Sequence, residues 1–145
     1  MKITKIETIR IPEHPNLIWV KIHTNEGLYG IGETWFGAEA VEADIHSRIA
    51  PIIINQDPTK IELIYSKMRP YIGFVGTGAE MRALSAIDVA LWDLHAKILN
   101  VPLYQVLGGQ TRTSIKVYNT CAGPSYVSKN ADVRPENFGT FHSKH

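Results

Sequence analysis

One stretch limits the possible folds more than any other: Thr77–Gly109, TGAEMRALSAIDVALWDLHAKILNVPLYQVLGG, the longest unbroken helical period in the chain. Ala83, Ala86, Ile87, Ala90, Leu91, Leu94 and Ile98 recur at steps of three and four, so on a helix they share one stripe. Thr77 stands three residues before Glu80, the spacing at which two side chains cap free backbone N–H groups at a helix start. Asn100 suits the left-handed conformation that ends a helix, and Pro102 keeps the helix from resuming. Asp93 and Lys97, four apart in the favourable order, predict an ion pair. Leu84, Asp88, Trp92 and His95 form a second stripe. Trp is costly on a solvent face, so the helix is expected to be covered on two sides. The alanines would meet neighbouring helices, and the Trp92 stripe would meet a second domain or subunit.

Before this helix the text is strand-like. Residues 2–11 are rich in Ile and Thr, with Ile3, Ile9 and Ile11 setting a face that Ile6 breaks. Leu17–Thr24 alternates, placing Ile18, Val20 and Ile22 on one side and Trp19, Lys21 and His23 on the other. Asn25-Glu26-Gly27 predicts a hairpin turn with Gly27 left-handed, and Leu28–Thr34 is its partner strand. Helical text follows. Val41, Ile45 and Ile49 are spaced four apart, with Pro51 closing the segment. Asp57-Pro58 reads as a cap with Pro at the first helical position, leading into Ile61, Ile64, Tyr65 and Met68 and ending at Pro70. Tyr71–Gly78 is a loop rich in Gly and aromatics, and Ser114–Asn119 returns to strand. Strands followed by helices predict the α+β class, a three-stranded antiparallel meander and then a helical bundle.

The run ALSAIDVALWDLHAK at 83–97, then Pro102-Leu103 and Leu107-Gly108, resembles the signature of the mandelate racemase / muconate lactonizing enzyme group of the enolase superfamily. About 26 positions carry the likeness, with Val106 standing where that pattern usually has Leu. Gly32-Glu33-Thr34 at a strand end and Arg112 before the last strand agree with it, and the short N-terminal loop and GFVGTG segment look most like the acid-sugar dehydratases. The resemblance covers residues 1 to about 126 and implies a capping domain over residues 1–113 and the first strand of a TIM-type barrel with its loop at 114–126; the tail at 127–145 is polar, without periodicity, and is expected to be disordered or poorly packed. It implies a lyase or isomerase that removes a proton next to a carboxylate, with Mg²⁺ stabilising the enediolate and a Lys or His as base.

A barrel needs roughly 250 residues, and 32 run from Ser114 to His145. The family's lysine motif has two lysines separated by one residue; none of the nine lysines here is so placed, and after Asn119 the acidic residues are Asp132 and Glu136. No catalytic or metal residue is therefore carried over. The chain alone is expected to be inactive and to bind no Mg²⁺, and its short length fits a truncated or frameshifted product. Two cap loops, Pro12–Leu17 and Thr34–Ala38, would contact the part of a sugar-acid or other carboxylate substrate remote from the reacting carbon. His14, Trp35 and Phe36 are the candidate pocket residues, against the plainer readings that the aromatics pack a strand-to-helix junction and His14 is surface. Asn119 and Cys121 would lie at the catalytic end of the first barrel strand, or be ordinary strand-end residues. The competing function is a non-catalytic module that self-associates, as a homo-oligomer, through an uncovered Leu84/Trp92 face.

Composition sets the remaining bounds. A net charge of +1 provides no field for nucleic acid or anionic membrane. One cysteine excludes an internal disulfide, and MKITKIETIRI has no apolar signal core, so the expected compartment is the cytoplasm. Glu42 and His46 share a helix face but lack a third ligand, Gly73–Gly78 matches no phosphate-loop spacing, and Asp88 and Asp93 diverge on a helix.

Overall fold

A computed structural model describes residues 1–69 and 78–117. Three strands, β1 (Ile3–Ile9), β2 (Leu17–Thr24) and β3 (Tyr29–Trp35), form an antiparallel sheet in the order β1-β2-β3. Helices α1 (Ala38–Asp44), α2 (Ala50–Ile53), α3 (Ile61–Met68), α4 (Gly78–Ile98) and α5 (Leu103–Val106) follow, with a π-helical turn, Ile45–Ile49, between α1 and α2. The expected meander and helical layer are both present. Gly27 is left-handed at the β2–β3 turn, Asn100 is left-handed after α4, and Asp93 pairs with Lys97 at 2.6 Å. Thr77, the segment 71–77 and the tail lie outside the described residues.

The core sits between one sheet face and the helices. Ile18, Val20 and Ile22 are buried from β2, and Ala83, Ala86, Ile87, Ala90, Leu91 and Leu94 from α4. In β1 the buried pair is Ile3 and Ile6, while Ile9 turns outward, which reverses the expected face. The cause is a register shift between Ile3 and Lys5: one extra residue in the strand moves every later side chain to the other face.

Helix α4 makes its broadest contact with β3 rather than with other helices. Two glycines make this possible. A Cβ on Gly32 would lie 2.0 Å from the Ala86 carbonyl oxygen, and one on Gly30 would lie 2.0 Å from that of Ala90. The alanine stripe and the glycine strand are thus two halves of one close backbone approach. The helix is covered on its other flank as well, by α1 and α3 of the same domain. Leu84, expected on an uncovered face, is only 1% exposed, and Trp92 is half-buried against the core.

Two further expectations change. Pro51 does not close a helix but stands at the start of α2. The π-helical turn just before it shifts the bonding to i→i+5, so the carbonyls that a proline ring would strike are displaced. Asp57 caps a turn, accepting from the Thr59 N–H and hydroxyl, and α3 begins only at Ile61. Arg48, in the π turn, donates to the Met68 carbonyl at the end of α3 (2.6 Å) while also pairing with Asp44, which satisfies one orphan carbonyl of that helix. Residues 114–117, the described part of the expected barrel strand, join no ladder; Ile115 and Val117 are 76% and 89% exposed. A parallel barrel strand needs neighbours on its sides to hold its backbone, and the described residues supply none. Among the described residues no helix is long and apolar enough to cross a membrane.

Candidate functional site

Two chain crossings meet at one end of the sheet. Between β1 and β2 the chain makes consecutive turns: the His14 N–H donates to the Ile11 carbonyl (3.2 Å), and the Leu17 N–H donates to the His14 carbonyl (2.9 Å). After β3 the Phe36 N–H donates to the Asn16 carbonyl (2.9 Å), tying the second crossing to the first. Phe36 has φ 76° and Gly37 has φ 70°, so two successive left-handed residues swing the chain from strand into α1.

A left-handed backbone at a bulky aromatic is uncommon and costs on the order of 1–3 kcal/mol. Its surroundings hold it. The Trp35 ring lies 5.5 Å from that of Phe36, and the Arg82 guanidinium sits 5.4 Å from the Phe36 ring centre. The Arg82 Nε donates to the Trp35 carbonyl (3.0 Å). Phe36 nonetheless stays 48% exposed. Trp35 is half-buried and His14 is exposed. The structure therefore brings the His14 loop and the Trp35–Phe36 segment together; Asn119 and Cys121 lie outside the described residues. Asn16 falls within the expected Pro12–Leu17 loop, whereas Arg82 reaches this segment without any signal in the sequence. Arg82 is 47 positions from Trp35, and nothing in its spacing points there.

A polar cluster flanks the same strands. The Thr8 hydroxyl donates to Glu42 (2.7 Å) and lies 2.9 Å from the His46 Nε2, while Arg10 pairs with Glu42 (3.1 Å) and Glu39 (3.0 Å). The Thr8 hydroxyl, then Arg10, holds the Glu42 carboxyl below the usual carboxylate range. Glu42 and His46 are thus linked through a hydroxyl, and a guanidinium stands where a second cation would have to come. This set does not fit Mg²⁺, and among the described residues no three carboxylate, imidazole or thiol groups converge as metal ligands. On α4, burial and then the Glu62 charge push the Asp88 carboxyl up, and Trp92 meets His95 edge-on at 6.1 Å. Asp88 and Asp93 do not act together: Asp93 accepts from the Ile31 N–H of β3.

Residues 7–108 match the family described as mandelate racemase / muconate lactonizing enzyme, N-terminal domain. The D-galactonate dehydratase of Pectobacterium atrosepticum is 42% identical over 131 residues, 88% of this chain and 34% of that protein. An enolase of the mandelate racemase subgroup from Agrobacterium tumefaciens is 52% identical with a TM-score of 0.75, over 77% of this chain and 31% of that one. An enolase from Pantoea ananatis, solved with bound D-gluconate and Mg, is 41% identical with a TM-score of 0.68, over 77% and 28%. The chain spans about a third of the length of the relatives it matches. The glycine-floored sheet, the helix that lies on it and the matched sequence agree: this chain belongs to the mandelate racemase / muconate lactonizing enzyme family, as its N-terminal domain.

Proposed function

We propose that the chain is the capping part of a Mg²⁺-dependent acid-sugar dehydratase that works by removing a proton next to the substrate carboxylate. The cap holds the end of the sugar acid remote from that carbon and excludes water from it; the base and the metal ligands belong to a barrel domain. One observation carries this reading: the Phe36 ring is held half-exposed on a left-handed backbone where the two loops are tied together, by the Asn16 carbonyl and by Arg82. Strained backbone of this kind persists where the surroundings over-determine it, and it clusters at ligand contacts. His14 and Trp35 would complete the wall. Support for the substrate class comes from the likeness to a D-galactonate dehydratase and to an enolase that bound D-gluconate and Mg.

The reading is tested by assaying Mg²⁺-dependent dehydration of a panel containing D-galactonate and D-gluconate. The purified chain alone is expected to give no product above a Mg²⁺ blank. The chain joined to the barrel of the Pectobacterium enzyme is expected to dehydrate at least one member. Turnover by the isolated chain, or a folded, Mg²⁺-binding chimera inert on the whole panel, would refute the proposal.

A further inference from the structure

Strand β3 is an edge of the sheet, with β2 on one side only. In an antiparallel strand every second residue turns its N–H and C=O away from its partner. Ile31 is such a residue, since its N–H donates to the Asp93 Oδ2 (2.8 Å) rather than across the ladder, and Tyr29 and Trp35 share its phase. The Tyr29 carbonyl accepts from the Lys97 Nζ (3.1 Å), and the Trp35 carbonyl accepts from the Arg82 Nε (3.0 Å). Three side chains of one helix therefore occupy backbone groups that an added strand would need. Asp93 and Lys97 also lock each other at 2.6 Å. Lys21 and Lys97 bring ammonium groups to 3.8 and 4.9 Å of the Tyr29 ring centre, so charge stands on the edge as well.

The strand beneath invites pairing. Its text is YGIGETW, with Tyr29 and Ile31 exposed and two glycines between the outward side chains, a sequence that specifies register weakly. Paired antiparallel about Ile31, two copies would place Tyr29 of each opposite Glu33 of the other and join two three-stranded sheets into one. Such a contact is isologous and needs no other partner. We propose that Arg82, Asp93 and Lys97 form a guard along the β3 edge that keeps a second copy of this chain from adding its own β3 strand there.

The test is self-association of the full chain by sedimentation velocity, with amide exchange read at Ile31. D93A/K97A is expected to tighten self-association over the unsubstituted chain by about tenfold or more. In that variant Ile31 should exchange quickly when dilute and become protected when concentrated. In the unsubstituted chain Ile31 should be protected at every concentration. Unchanged association, or association that leaves Ile31 unprotected, would overturn the guard. Should D93A/K97A fail to fold, K97M and K97R decide the matter: K97M is expected to raise association and K97R to leave it at the unsubstituted level. Equal behaviour of the two overturns the proposal.

Discussion

Gly32→Ala should destabilise the domain by about 3 kcal/mol or more, at the upper end of what overpacking costs. The new methyl group would lie 2.0 Å from the Ala86 carbonyl oxygen, and the atom it meets is backbone that no rotamer change can move. Either β3 leaves α4, which opens the core along Ala86, Ala90 and Val20, or the sheet distorts. Gly30→Ala meets the same obstacle at Ala90 and should behave alike. Gly27→Ala, at a turn with open space around it, is the contrast: its φ of 81° makes it strained, but it collides with nothing. Denaturant titration measures the difference. A Gly32→Ala midpoint within error of the unsubstituted chain would mean that helix and strand are farther apart than described.

Leu84→Ala is the second large effect, expected at about 2–4 kcal/mol of lost stability, the usual range for a leucine truncated in a packed interior. Val89→Ala, five residues on and 44% exposed, should stay within about 0.5 kcal/mol. The pair separates two pictures of α4. If α1 and α3 cover its second flank, Leu84 is interior and its truncation leaves a cavity. If that flank waits for another body, both substitutions are mild, and Leu84→Ala reduces any self-association instead.

Much of the architecture can be read from the residues because local chemistry decided it. The alternation of Leu17–Thr24 survives intact, since one face of β2 is wholly buried. The small-residue stripe of α4 is present as a stripe, but its main partner is strand β3 rather than a helix. Ala86 and Ala90 fit helix–helix contact as well as they fit a glycine strand, and only the three-dimensional pairing of Gly30 and Gly32 with them distinguishes the two. The covering of Leu84 is hidden in the sequence for a like reason: period shows that a face is apolar, not which element buries it. Ile6 and Pro51 defeat simple period rules through one inserted residue each, a bulge and a π turn. At the candidate site Trp35 and Phe36 stand out as aromatics at a strand end. The left-handed backbone of Phe36 and its tie to Asn16 and Arg82 depend on contacts distant in sequence, which no spacing announces.

The cap reading rests on Phe36 and Trp35 setting substrate preference without touching the chemistry. Its most direct test is kcat/KM for each sugar acid and the Mg²⁺ activation constant, measured on the chain joined to a family barrel, with and without W35A/F36A. Losing two aromatic contacts should lower kcat/KM for the preferred sugar acid by roughly 10–100-fold relative to the others and leave Mg²⁺ activation unchanged. An unaltered preference, or a uniform loss accompanied by weakened Mg²⁺ activation, would contradict it.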